Sequence, residues 1–294
     1  MVATASVRNE SVYSGTARFD KKERRLSEAE LMDKAPSIFA AEAHESRSER
    51  FAPIATIDVL RGIAKHGFVP VGVKQSTSRD EGRAPFTKHL IRLRRLDGKQ
   101  RQVGDTVFEM LLKNANDGTA AYHLMAGLWR IRCMNSLVVK TKSLGEISIR
   151  HTGDAPQEVL EASFKVLEQA DRTLAYAEAW GRVDLKEIER INFAKKAHKL
   201  RWEGKDYGVA TAVTPGKLLE ARRSGDEGSD LWSVFNVVQE NIIRGGVEGD
   251  GKDSVGRKCH YTSRPVNGID ADVTLNTALW GLADELATKR GVLV

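Results

Sequence analysis

The sequence predicts an α+β protein: an antiparallel β-meander sheet with helices packed on one face and a helical C-terminal region. Between Pro85 and His151 apolar residues recur with period two, the repeat of a strand. After Asp154 the period changes to three and four, the repeat of an amphipathic helix. Asp97-Gly98 and Asn116-Asp117-Gly118 separate consecutive strand candidates as hairpin turns do, so sequence neighbours pair without βαβ crossovers.

A length of 294 residues suits one large domain or two modest ones, and 41% hydrophobic against 29% charged residues favours a packed core over global disorder. Residues 1–25 are polar and charge-mixed and read as a flexible tail. Residues 26–205 read as the α+β core with a basic hairpin. Residues 206–294 read as the helical region, with a flexible glycine-rich loop at 245–257.

Leu26 to Ala43 predicts a short helix interrupted near Pro36. Thr56 caps a helix over Ile57 to Lys65, which Gly67 stops. Phe68 to Lys74 is a short strand with Val69, Val71 and Val73 on one face. Thr87 to Arg95 sets His89, Ile91 and Leu93 on one face against Lys88, Leu90, Arg92 and Arg94 on the other. Val107 to Lys113, Thr119 to Met125, Leu128 to Val139 and Ile147 to His151 continue the meander.

The stripe Leu160, Phe164, Leu167, Ala170 and Leu174 then predicts one long helix from Pro156 to about Trp180. Asp184 caps a helix through Leu200 with Leu185, Ile188 and Ile191 inward, and Pro215 starts another through Arg222. Leu231 to Ile243 is a helix carrying Trp232, Phe235, Val238 and Ile242 inward, and Val273 to Thr288 is the last.

The formal charge is +6, and the segment Phe86 to Val103 alone holds Lys88, Arg92, Arg94, Arg95, Lys99 and Arg101 against Asp97. Arg130 and Arg132 share a face of a later strand. If these strands belong to one sheet, one side is a core layer and the other a cationic platform that binds phosphates with strong salt dependence. The opposing reading has the same side chains paired with acids from elsewhere. Arg79 and Arg83, in the turn-like Ser78 to Arg83, flank the platform, and Phe86 and Tyr122 are the base-stacking candidates. A second basic run, Lys195, Lys196, Lys199 and Arg201, ends a helix, where cations also complement the helix dipole.

No catalytic constellation stands out. The seven histidines show no metal-binding helical spacing, a phosphate-binding Gly-x-x-x-x-Gly-Lys-Ser/Thr loop is absent, and Cys133 and Cys259 make no ligand cluster. The expectation is therefore no cofactor, no metal and no membrane span, in a cytoplasmic protein.

Several segments together carry a family likeness. They are Gly67-Phe68-Val69-Pro70-Val71, Ser78-Arg79-Asp80-Glu81-Gly82-Arg83 with Phe86-Thr87-Lys88-His89, and Asn116-Asp117-Gly118-Thr119 through Gly127-Leu128-Trp129-Arg130. Cys133-Met134-Asn135-Ser136-Leu137-Val138-Val139, Leu231-Trp232-Ser233-Val234-Phe235-Asn236 and Val238-Gln239-Glu240-Asn241-Ile242-Ile243-Arg244-Gly245-Gly246 complete them. The chain resembles the phage- and plasmid-like family of domain of unknown function 932, in order, over most of its length. The resemblance implies an origin in a mobile genetic element and brings no activity with it. The strand meander crossed by a long helix is also similar in architecture to ring-forming single-strand annealing proteins, which lay single-stranded DNA along a basic groove.

The expected function is thus non-catalytic binding of DNA, single-stranded by that analogy, in recombination, repair or replication of a mobile element. A homo-oligomer joined through the Trp232 to Ile242 stripe is the expected assembly. The alternatives are an anti-restriction or defence-related factor whose partner is another protein, and an enzyme with a site around Arg79, Asp80, Arg83 and His89.

Overall fold

The computed structural model describes residues 24–96, 102–103, 105–130, 135–138, 147–152, 155–204, 208 and 212–292. The expected tail at 1–25 and the turn at Asp97-Gly98 lie almost wholly outside them. Helix α1 (Glu28–Lys34) opens on Ser27, whose hydroxyl accepts from the Glu30 amide while the Glu30 carboxylate accepts from the Ser27 amide. Helix α2 (Thr56–Ala64) buries Ile57, Leu60 and Ile63.

The sheet is a meander of five antiparallel columns in chain order. They are β1 (Phe68–Gln75), β2 (His89–Arg95), β4 (Thr106–Asn114), β5 (Tyr122–Arg130) and β6 (Asn135–Val138). The two-residue β3 (Gln102–Val103) pairs with the start of β4, and β7 (Ile147–Ile149) with the start of β5. The long strand expected over Leu128 to Val139 is two strands. Gly127 pairs with Val138 in antiparallel register, so the chain reverses between Arg130 and Asn135.

One sheet face carries Ile91, Leu93, Phe108, Met110, Leu112, Leu124, Ala126 and Leu128 into the main core. Helices α2, α3 (Ala155–Glu168) and α4 (Ala170–Trp180) pack on it. The single helix expected up to Trp180 is therefore two, broken at Gln169, whose carbonyl accepts from the Thr173 hydroxyl. The stripe placed Phe164 inward, yet it is 41% exposed.

Helices α5 (Glu187–Trp202), α6 (Leu231–Arg244) and α7 (Ile269–Lys289) build the C-terminal half. On α5 the inward residues are Phe193, Ala194 and Ala197, and Ile188, expected inward, is 59% exposed. Pro215 starts only a 3-10 turn, Gly216–Leu219. The Trp232 to Ile242 stripe expected at an oligomer interface closes the chain's own core. Trp180, Phe235 and Trp280 are almost fully buried there, with Trp232 against them. The core runs unbroken from Leu26 to Ala287. No described helix is long and apolar enough to cross a membrane.

The glycine-rich 245–257 segment is a correction. It contributes β8 (Glu248–Lys252), which pairs with β9 (Lys258–Thr262) as a separate two-stranded ribbon. Gly249 serves close approach here, because a Cβ on it would stand 2.4 Å from the Ala212 carbonyl oxygen.

Candidate nucleic-acid interface

Strand register decides where the basic residues go. Arg92 of β2 pairs with Leu111 of β4, which pairs with Met125 of β5. Even positions of β2 therefore share a face with odd positions of β4 and β5. Arg92 and Arg94 lie with Glu109 and Trp129, whereas Arg130 lies on the opposite face with Leu128. Among the described residues, the basic side chains expected on a single cationic platform are split between the two faces of the sheet.

Arg92 and Arg94 are not open to solvent. Arg92 donates to Glu109 through Nε and Nη2, both at 2.6 Å, and Arg94 donates to the same carboxylate at 2.6 and 2.9 Å. The guanidinium of Arg92 also lies 3.2 Å from the centre of the Trp129 ring. Arg92, Arg94 and Glu109 are all under 5% exposed.

Further along this face Lys88 and Lys113 pair with Asp270, and Lys74 pairs with Asp272 at 3.2 Å. Both acids stand in the first turn of α7, where a carboxylate also suits the helix dipole. Ile269 and Val273 of that turn cover Leu90, Leu111 and Met125 in a small second core. The platform face is thus roofed by the start of α7.

Arg130 enters a second ionic chain. It donates to Asp105 at 3.0 Å and to Asp226 at 2.7 Å. Arg223 reaches the same Asp226 at 3.5 Å and Glu240 at 2.5 Å, and Arg244 reaches Glu240 at 2.8 Å. Burial pushes the Glu240 carboxyl up, but the hydrogen bonds from Arg223 and Arg244 outweigh it and hold the group below its usual range.

The remaining sequence candidates are dispersed. Arg79 is exposed in the β1–β2 loop, and Arg83 is partly exposed with Nε 3.9 Å from Asp117. Phe86 is half-buried with its ring edge-on to His44. Tyr122, proposed for base stacking, is fully buried in the core, where no base reaches it. Lys99, Arg101 and Arg132 lie outside the described residues. Gly118 takes the positive φ expected of its turn, +75°, and the Arg47 side chain packs against it.

His89, grouped with Arg79, Asp80 and Arg83 in the enzymatic alternative, faces the core while Arg79 and Asp80 are exposed. Its Nδ1 is 2.8 Å from the Ser37 hydroxyl and its Nε2 3.0 Å from the Thr56 hydroxyl. Asn114 and Asn116 extend the same buried network to the carbonyl of Ile54.

Burial holds the His89 imidazole down to about 3, against an ordinary value of 6.5. The folded value lies below the unfolded one, so between these limits the unfolded chain takes up a proton that the folded chain refuses. The stabilisation is complete above pH 6.5 and is lost as pH falls toward 3, at up to about 1.4 kcal/mol per pH unit. Urea midpoints measured from pH 7 to pH 4.5 should fall in the wild type and fall less in His89→Gln. Parallel curves would assign the acid sensitivity to other groups.

Exposed cations also stand in the C-terminal half. Lys195, Lys196 and Lys199 project from one side of α5, with Lys196 and Lys199 more than half exposed. At the end of α5, Arg201 donates to the Arg264 carbonyl at 3.2 Å. Lys217 holds the Glu248 carbonyl at the root of the β8–β9 ribbon, and Tyr261 of β9 lies against Gly208. The ribbon adds Lys252, Arg257 and Lys258. Three of these cations face acids: Lys196 with Glu285 at 3.5 Å, Lys199 with Glu203 at 4.0 Å and Arg257 with Asp253 at 2.8 Å. The α5 run was visible in the sequence, and the basic residues of the ribbon were read there as part of a loop.

A family model described as domain of unknown function DUF932 matches residues 43–280. The chain is 38% identical over 278 residues to the UPF0380 protein YafZ of Escherichia coli (strain K12), covering 94% of this chain and 96% of that one. It is 37% identical to the UPF0380 protein YfjQ of the same organism, with the same coverage. No solved structure matches.

Proposed function

The chain belongs to the DUF932 family, and we propose that it acts by binding nucleic acid through the cationic side formed by α5 and the β8–β9 ribbon. The observation that carries this reading is the run of exposed lysines on α5 together with Lys252, Arg257 and Lys258 of the ribbon, while Lys88, Arg92, Arg94 and Lys113 of the main sheet are paired with acids. Each Lys or Arg that meets a phosphate releases condensed counterions, so a surface of this kind binds any sequence and weakens steeply with salt. In a cytoplasmic protein of a mobile element it would serve recombination or replication. Any assembly of copies along a strand would use a face other than the Trp232 to Ile242 stripe, which is internal.

The test is fluorescence anisotropy with labelled single-stranded and duplex oligonucleotides at several salt concentrations. Lys195→Ala/Lys196→Ala/Lys199→Ala should weaken binding to every sequence and flatten the plot of log affinity against log salt by about two to three. Its melting temperature should stay near that of the wild type, because the three side chains are exposed. No binding by the wild type at low salt, or an unchanged slope in the variant, would sink the reading.

A further inference from the structure

We propose that the folded chain modifies itself at the Asn267-Gly268 bond, where the Asn267 side chain condenses with the next backbone amide and loses ammonia. The inference is independent of the nucleic-acid reading.

Asn267-Gly268 is the one Asn-Gly dipeptide of the chain. It lies in the connection from β9 to α7, outside both elements, and both residues are exposed. Among the described residues, neither the Asn267 side chain nor the Gly268 amide has a hydrogen-bond partner. Asn236, Asn241 and Asn276, by contrast, are buried in helices, where the following amide is fixed. Their side chains are held too: Asn236 donates to the Trp232 carbonyl, Asn241 to those of Leu218 and Glu220, and Asn276 to that of Asp272.

The reaction needs only water. The deprotonated Gly268 nitrogen attacks Cγ of Asn267 and forms a new N–Cγ bond. The Cγ–Nδ2 bond breaks, and the side-chain nitrogen takes up a proton and leaves as ammonia, closing a five-membered succinimide. Water then opens the ring at either carbonyl. Opening at Cγ leaves an aspartyl residue at position 267. Opening at the main-chain carbonyl leaves an isoaspartyl residue, whose backbone runs through Cβ.

Gly268 fits this reaction better than it fits a structural need. Its φ is −72°, which any residue adopts. An added Cβ would come no closer than 3.8 Å to the Ala271 side chain, an ordinary contact. As the N-cap of α7 it ranks below Ser, Asn or Asp. What glycine supplies is an amide nitrogen that no Cβ crowds, on a backbone free enough to reach Cγ.

The two products act differently on α7. The aspartyl form adds a negative charge just before a helix N-terminus, where the helix dipole favours it. The isoaspartyl form adds one backbone carbon between two buried anchors. Val266 donates its amide to the Ile243 carbonyl at 2.8 Å, and Ile269 packs with Leu90, Leu111 and Met125. The extra carbon pushes on Ile269, and through it on Asp270 and Asp272, which hold Lys88, Lys113 and Lys74. The bond is an ageing point whose isoaspartyl product loosens the roof over the sheet.

The test holds the full chain at neutral and at mildly alkaline pH and follows every asparagine by peptide mass mapping. Isoaspartate is read by enzymatic methylation of its carboxyl group. Conversion should be fastest at Asn267, and faster at the alkaline pH, because the attacking nitrogen must be deprotonated. Gly268→Thr shields that nitrogen yet caps a helix about as well as glycine, and it should slow conversion at least about tenfold. Aged wild type should melt at least about 2 °C below fresh protein. Asn267→Asp, which carries the charge without the extra carbon, should melt like fresh protein.

The chain unfolded in urea gives the reference rate. Conversion at Asn267 in urea but not in the folded chain would mean that the fold protects the bond, and would overturn the proposal. Aged protein rich in isoaspartate at position 267 that melts like fresh protein would overturn the loosening of α7.

Discussion

Replacing Glu109 by Gln should destabilise the protein by about 3–5 kcal/mol, the cost of removing one partner from a buried ion pair. Glu109 accepts from both Arg92 and Arg94, and none of the three has meaningful access to water. Gln keeps the shape of the side chain but removes its charge, so two guanidiniums lose their shared anion. A domain commonly holds only about 5–15 kcal/mol in all, so the urea midpoint should collapse. Replacing the cluster whole, as Arg92→Met/Glu109→Leu/Arg94→Met, should cost far less, because no buried charge is then stranded. A Glu109→Gln midpoint within about 0.5 kcal/mol of the wild type would mean that other groups carry the arginines. The same physics disqualifies Arg92→Ala and Arg94→Ala as probes of nucleic-acid binding: they strip partners from a buried carboxylate, and any loss of binding would report unfolding.

The sheet was legible because its signal is local. Alternation along Thr87 to Arg95 sorted His89, Ile91 and Leu93 from Arg92 and Arg94 correctly, and Asn116-Asp117-Gly118 lay between the strands it joins. What alternation does not contain is the covering of a face. Lys88 finds its acid 182 residues away, and Lys74 finds its acid 198 residues away. Nor does it contain the relative parity of two strands, and so Arg130 was placed beside arginines that lie across the sheet from it.

The β8–β9 ribbon failed for a different reason. Gly249 and Gly251 carry no side chain to mark a period, so the segment read as flexible. The spacing of Cys259 and Tyr261 opposite them was the one signal that could have revealed a strand pair. On α5 the apolar residues were too few to fix the inward face, and Ile188 was assigned to it wrongly.

Trp280→Ala should be comparably severe, at about 3–5 kcal/mol, the range for deleting a large buried aromatic side chain. Trp280 is fully buried, with its ring centre 4.3 Å from Trp180, 5.6 Å from Phe235 and 5.7 Å from Tyr176. It is the point at which α7 locks onto α4 and α6. The first turn of α7 also carries Asp270 and Asp272 onto the sheet lysines, so loosening this helix weakens both of its attachments. Trp280→Phe should cost much less, since it retains most of the ring contacts and removes an indole N–H that has no hydrogen-bond partner in the core. Trp232→Ala should also cost less, because Trp232 is only partly buried against the same cluster. Urea titrations followed by far-ultraviolet circular dichroism, which is insensitive to the deleted chromophore, separate the three. A Trp280→Ala cost below about 1.5 kcal/mol would place it with volume-conserving core swaps and remove Trp280 as the lock of α7.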